Sequence, residues 1–255
     1  MGLTKLALKF AAPLPDIEKY ERFLFIGPHP DDIEIGAGAT AAKLAAAGKK
    51  VCFLICTDGR YGDGKSAADR QQLIDIRQKE AVLSAEYLGV TDVQFLGLSD
   101  GGFYRFEELV EGIAQAVARF CPQVIFAPDP SVASECHVDH LNAGKAARQI
   151  ACHAPYPGIM AAHGACGSAP VEAIAFYMTA GPTKFVRTKG YLQMQLDSVF
   201  CNHLSQFPKG CREARAIALY LRLRAFDFGM RSFCGCAEGF RVLGVTHMHC
   251  LPEAE

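Results

Sequence analysis

Short, unbroken apolar runs alternate with helix-favouring stretches along the first 150 residues, and no other feature constrains the fold as strongly. Phe23-Leu24-Phe25-Ile26, Val51 to Cys56, Val93 to Leu96 and Val124-Ile125-Phe126 carry the pattern of strands buried on both faces. Between them lie an Ala-rich helical stretch over 38–47 closed by Gly48, and a long helix from Asp69 to Leu88 closed by Gly89. Leu73, Ile76, Leu83 and Tyr87 of that long helix stand at helical spacing and predict its buried face. Further helices are expected over Phe106–Phe120 and from His137 through Ile150. A β-α-β-α order of this kind implies a parallel sheet with right-handed crossovers and helices on both faces. The expected fold is therefore α/β, a Rossmann-like doubly wound, mostly parallel sheet of strand order 3-2-1-4-5 flanked by helices. Residues 152–170 read as a surface excursion rich in Gly, Ala, Pro and His. Strands near 171–178, 184–187 and 239–245 and helices near 190–203 and 211–226 complete one domain spanning 1–255.

With 255 residues, half of them hydrophobic, the chain can fill one sizeable core. Its 26 Lys and Arg against 27 Asp and Glu provide no bulk attraction to nucleic acid or to an anionic membrane. No apolar stretch reaches the roughly 18 residues of a membrane span. Lys5 and Lys9 interrupt the N-terminal apolar stretch, so no secretion signal is expected there. Eleven cysteines, an odd number scattered without a framework, argue for reduced thiols and a cytoplasmic setting.

The chemistry gathers at two places. PHPDDIEIG, Pro28 to Gly36, follows the first strand, and ECHVDH, Glu135 to His140, follows the fourth. In a sheet of order 3-2-1-4, strands 1 and 4 are neighbours at the topological switch point, where ligands bind outside the carboxyl ends of the strands. Two histidines and one carboxylate make a three-ligand metal site with room for water, the pattern of a catalytic zinc. The adjacent carboxylates Asp31 and Asp32 suit a division into one ligand and one general base. Of the two histidines in HVDH, one can ligate while the other donates to a developing oxyanion or a leaving amine.

These motifs resemble those of the LmbE/PIG-L deacetylases, zinc enzymes acting on N-acetylglucosamine-containing substrates. The resemblance extends through Ile76-Arg77, Glu80, Tyr87-Leu88-Gly89, Phe126 to Pro130, His203 to Pro208 and Ala237 to Arg241. The last three stretches look most like the diacetylchitobiose deacetylase branch, with the bacillithiol-pathway deacetylases as nearest competitor. The resemblance implies His29, Asp32 and His140 as ligands of Zn2+, with Fe2+ as the other candidate ion, and Asp31 as general base. It implies His137 as oxyanion stabiliser or general acid, with Asp139 tuning its charge. Arg77 and Asp100 would grip sugar hydroxyls, and His249 would reach an active site, its own or a neighbouring subunit's. An amino-sugar substrate and a homo-oligomer are the implied partners. Ala39 and Val138 depart from the family pattern, and segment 184–190 lacks the acidic residues expected there, but no ligand is lost.

Rival readings exist for several of these residues. Gly36 to Ala41 fits GxGxxA, a dinucleotide fingerprint, yet HPDD separates it from strand 1, so close packing of helix on sheet explains it better. Two histidines and a carboxylate also form the facial triad of non-haem iron oxygenases, which leaves Asp31 and His137 without a role. A sugar- or metal-binding module without activity is the non-enzymatic reading. Cys234 and Cys236 with His247, His249 and Cys250 do not match a standard zinc spacing and read as free thiols. His153 and His163 read as solvated, His203 as a structural hydrogen-bonding group, and Arg77 with Glu80 as a helix-surface pair were it not for the resemblance.

Overall fold

Each uninterrupted apolar run becomes a strand with one core on either side of it. The computed structural model describes residues 7–8, 10–62 and 70–249. Strands β1 (Arg22–Gly27), β2 (Lys50–Thr57), β3 (Asp92–Leu98), β4 (Val124–Pro128) and β5 (Ala173–Tyr177) are parallel, and β7 (Ala237–Gly244) and β6 (Lys184–Arg187) extend the sheet antiparallel. The order is β3-β2-β1-β4-β5-β7-β6. The expected 3-2-1-4-5 arrangement therefore holds, with two further strands on the β5 side.

Alternation along the strands divides the core. Phe23, Phe25, Phe53 and Phe126 face helices α1 (Asp32–Ala46) and α2 (Arg70–Tyr87), while Leu24, Ile26, Leu54 and Ile125 face α3 (Phe106–Phe120) and α4 (Val138–His153). Phe25 is in register with Phe53 on one side and Phe126 on the other, and its ring stacks on Phe126 with centroids 4.2 Å apart. Such cross-strand aromatic contacts fasten β2, β1 and β4 together, and with them the loops that leave β1 and β4. The helices α2 and α1 end near Gly89 and Gly48, whose φ values of +83° and +75° suit glycine.

Three expectations are corrected. Helix α1 begins at Asp32, not at 38, because the HPDD turn leads straight into it; Ala37 (φ −152°, ψ 17°) kinks it midway. Both sides of the kink are tied down: Gln195 Nε2 donates to the Glu34 and Ile35 carbonyls, and the Glu238 carboxylate accepts from Ala39 N and Thr40 N. The buried stripe of α2 is Ile74, Arg77, Ala81, Ser84 and Ala85, whereas Ile76, Leu83 and Tyr87 face outward. The inward side of that helix meets Ser198, Ser205 and Asp31, so its contacts there are polar. The 152–170 segment holds α5 (Pro157–Ala162) and buries Met160, Ala165 and Ala169 against the α3–α4 core, so it is part of the packing. Helices α6 (Leu192–Asp197) and α7 (Arg212–Arg231), joined through a π-turn over Ser198–Asn202, occupy the positions expected of the later helical segments.

Candidate active site

Gly27 and Pro128 end neighbouring strands at the carboxyl edge of the sheet, so the turn into α1 and the loop into α4 meet there. Asp31 lies in that turn with φ at +144°, a backbone strain that costs a residue with a side chain about 1–3 kcal/mol. Three donor atoms converge. Asp32 Oδ2 lies 3.0 Å from His29 Nδ1 and 3.4 Å from His140 Nε2. Two ligands about 2.1 Å from one ion at a tetrahedral angle stand about 3.4 Å apart, so the spacing of these donors fits a common cation.

Each histidine of the set is held from behind. His29 Nε2 meets Asp139 Oδ2 at 3.1 Å, and Asp139 also accepts from Gly101 N (2.7 Å) and Gly102 N (2.9 Å). His140 Nδ1 meets Glu135 Oε2 at 2.9 Å, while Glu135 Oε1 accepts from His137 N. A carboxylate on the far nitrogen fixes the ring and its tautomer and makes the ligating nitrogen more basic. Burial alone would lower the His29 pKa, but Asp139 and Asp32 outweigh it and raise it to about 10. Burial is likewise overcome at His140, where Asp32 and Glu135 raise the value to about 9 against His29. Asp32, although buried, is held well below the ordinary carboxylate range by His140 and His29. The cluster thus holds positive charge between its carboxylates, which is what a divalent cation would supply.

A second grouping, His29 with His137 and Asp139, also has its donor atoms within 4.8 Å of one another. Asp139 there is already saturated by two backbone N–H groups and an imidazole, and is 1% exposed. Asp32 and His140, by contrast, line a cavity of about 590 Å³, a size typical of ligand pockets. The donor chemistry and the access both favour His29, Asp32 and His140.

Asp31 sits beside the donors, 6% exposed, with Arg77 Nη2 3.3 Å from its Oδ2. Burial lifts its carboxyl to about 6, with Asp32 adding to the rise and Arg77, His203 and His29 opposing it. That is the range in which a carboxylate serves as general base near neutrality. His137 caps α4: its Nδ1 accepts from Asp139 N at 3.3 Å, which leaves the proton of the neutral ring on Nε2. Burial lowers its pKa, and the like charges of His29 and His140 lower it further, so the ring is a neutral donor.

The remaining expected residues fall differently. Arg77 is 3% exposed and donates to the Gly59 and Pro30 carbonyls and to Asp31, so it braces the Asp31 carboxylate; it makes no surface pair with Glu80, which binds Ser205. Asp139 contacts His29 and also acts on His137: its Oδ2 lies 3.7 Å from His137 Nδ1, and its charge works to raise that ring's pKa against burial and the other two histidines. Asp100 is buried near the site, accepting from Tyr61 N through Oδ2 while its Oδ1 has no partner among the described residues. His249 does not join the site within one chain: Gly244, shortly before it, pairs with Ala173 at the start of β5, the opposite end of the sheet. His203 is fully buried against Glu34 at 3.2 Å, the structural hydrogen bond expected of it. Gly36 packs against the Tyr177 ring, where a Cβ would come within 2.2 Å, which accounts for the small residues of α1 by packing. Cys234 and Cys236 sit beside Ser232 and Thr188; Cys250 lies outside the described residues. Glu135 escaped the sequence reading, although its place five residues before His140 was the available signal.

Comparison with known proteins settles the relationship. The family model described as "PIG-L: GlcNAc-PI de-N-acetylase" matches residues 24–151, the stretch from β1 through α4 that contains all three candidate donors. The chain belongs to the PIG-L family. It is 32% identical to the diacetylchitobiose deacetylase of Thermococcus kodakarensis over 99% of this chain and 93% of that protein. It is 30% identical to a 1D-myo-inositol 2-acetamido-2-deoxy-alpha-D-glucopyranoside deacetylase of Kineococcus radiotolerans over 69% of this chain and 56% of that protein. Its fold superposes on the N,N'-diacetylchitobiose deacetylase of Pyrococcus horikoshii, solved with an inhibitor, with a TM-score of 0.83 and 27% identity, covering 99% and 97% of the two chains. In this PIG-L chain, no helix of the described residues is long and apolar enough to cross a membrane.

Proposed function

We propose that the chain is a metal-dependent hydrolase that removes acetyl from an N-acetylglucosamine-containing substrate, diacetylchitobiose or a close conjugate. The convergence of His29, Asp32 and His140, with Asp32 and His140 lining one cavity and Asp31 and His137 beside them, carries the reading. Near full-length likeness to diacetylchitobiose deacetylases supports the substrate class over a bacillithiol-type conjugate. Zn2+ suits two imidazoles and a carboxylate, and Fe2+ accepts the same donors. A divalent ion bound there supplies Lewis acidity, acidifying water and polarising a carbonyl.

The side chains do the rest. Asp31, braced by Arg77, takes the proton of the attacking water. The oxyanion formed at the acetyl carbon meets the Nε2–H of His137. The proton then passes to the sugar nitrogen, the C–N bond breaks, and acetate and the free amine leave. Asp100 is the hydroxyl-binding carboxylate of this scheme. An oxygenase would share the ligands but gives Asp31 and His137 no work, and neither does a binding module.

The outer face of α7 exposes Leu219, Leu223, Phe226 and Met230, with Phe233 just beyond, each more than half exposed. The 4-3-4 spacing of the four helical residues forms a single seam with Arg222 on one flank and Asp227 on the other, so two copies laid side by side match apolar and charged surface. We assign this seam to self-association; light scattering should give an oligomer that Phe226→Asp dissociates, and a monomeric wild type would refute it. The ten described cysteines are all unpaired, which supports a reducing, cytoplasmic setting.

Amine release by zinc-reconstituted protein, with and without chelator, tests the function on N-acetylglucosamine, diacetylchitobiose and an acetylated glucosaminyl-malate. Chelator-sensitive release, fastest from diacetylchitobiose, is expected. Silence across the panel with metal bound would refute the deacetylase reading.

A further inference from the structure

The cavity extends beyond the metal donors to a wall that the hydrolytic chemistry does not use. One face of α7 supplies it: Ile217, Tyr220 and Arg224, at i, i+3 and i+7, stand with Thr179 and Ala180 from the segment after β5. The Arg224 guanidinium is held in place. It donates to the Tyr220 hydroxyl and, at 3.0 Å, to the Thr179 carbonyl, and its carbon lies 4.9 Å from the centre of the Phe228 ring. These contacts use two of the five guanidinium N–H groups. No carboxylate among the described residues pairs with Arg224, although other charged groups on the wall are matched. Asp129 receives Arg241 at 2.9 and 2.6 Å, Glu135 receives His140, and Asp32 receives both histidines.

Those three carboxylates face the cavity, and Arg224 is the sole Lys or Arg lining it among the described residues. The wall is therefore no trap for an anion. A pre-placed fork of donors beside an aromatic ring suits a neutral ring rich in hydroxyls. The C–H face of a pyranose can cover the tyrosine while its hydroxyls accept from the guanidinium.

We propose that Tyr220 and Arg224 form the subsite for a second sugar, the unit joined to the N-acetylglucosamine whose acetyl is cleaved. The proposal rests on the deacetylase reading and adds to it the residues that select a disaccharide over a monosaccharide. Both side chains are partly exposed, so their replacement does not threaten folding.

The test measures kcat/KM of the zinc-reconstituted full chain for diacetylchitobiose and for N-acetylglucosamine, and reads the ratio of the two. Wild type should favour the disaccharide. Tyr220→Ala and Arg224→Met should each lower that ratio about tenfold, mainly through KM for the disaccharide, the size of effect one lost contact to a charged group or ring gives. Arg224→Lys, which restores charge without the fork, should recover only part of it. A wild-type ratio near one, or a ratio unmoved in both truncations, overturns the subsite while leaving the deacetylase intact. A loss confined to an acidic conjugate such as acetylated glucosaminyl-malate, with the disaccharide ratio unmoved, overturns it in favour of an anion site. If wild type releases amine from none of these sugars, the deacetylase reading falls and the subsite falls with it.

Discussion

Replacing Asp139 by Asn tests which atoms hold the cation and what orients them. Asp139 Oδ2 receives His29 Nε2 and Gly101 N, and Oδ1 receives Gly102 N at 2.9 Å. An amide has one oxygen and one NH2 to offer these three donors. With its oxygen in the Oδ2 position, the NH2 faces the Gly102 N–H donor to donor, at a cost of about 1–3 kcal/mol. In the reverse orientation the NH2 faces His29 Nε2 and drives the ring proton onto Nδ1, the nitrogen that must ligate. Either outcome weakens the site, and losing a carboxylate behind a ligating histidine lowers metal affinity about 10–100-fold. Zn2+ titration against a chromophoric chelator should show a loss of that size for Asp139→Asn and a far larger one for Asp32→Asn. Unchanged affinity in Asp139→Asn would refute the orienting role. A loss as complete as that of Asp32→Asn would place the ion between His29, His137 and Asp139 instead.

Asp31→Asn should lower acetate release by a factor of about 10²–10⁴ with stoichiometric metal retained, read by product assay beside metal analysis; loss of the metal would mean that base and ligand are misassigned. Burial raises the Glu238 carboxyl from 4.5 to about 7. The folded chain therefore keeps a proton that the unfolded chain gives up, and stability should fall as pH rises from about 4.5 to about 7, by on the order of 3 kcal/mol from this group. Urea unfolding at both ends of that window should show the decline in wild type and its absence in Glu238→Gln; parallel profiles would sink the assignment. Gly36→Ala drives a Cβ to within 2.2 Å of a Tyr177 ring that is 1% exposed and pinned by its hydroxyl to the Ile26 carbonyl. Thermal unfolding should register a loss of about 3 kcal/mol, and an unshifted midpoint would show that the ring can give way.

The central strands were legible because parallel strands buried on both faces leave no polar alternation to confuse the reading. The meeting of His29, Asp32 and His140 was legible because strand order alone brings the ends of β1 and β4 together. Helix α2 misled because its inward face performs polar work. Arg77 and Ser84 point inward to Asp31 and Ser198, while Leu83 and Tyr87 stay outside, so the apolar stripe marks the wrong side. The first turn of α1 was hidden by Gly36, Gly38 and the kink at Ala37, which lower helix propensity where tertiary contacts from Gln195 and Glu238 restore the lost partners. The contacts of Glu135 with His140 and of Asp139 with His29 depend on how a loop folds back, and spacing alone does not encode that.

The two halves of the candidate metal site lie far apart along the chain, His29 and His140 being 111 positions from one another. During synthesis at about 5–20 residues per second, His29 and Asp32 therefore wait about 5–20 s before their partners exist, and longer before β4 can dock beside β1. An ion gripped by all three donors can be acquired only after the slow, long-range step of sheet closure. Cation occupancy then reports the docking of β4 beside β1: a chain stalled before His140 would carry the HPDD turn without the third donor.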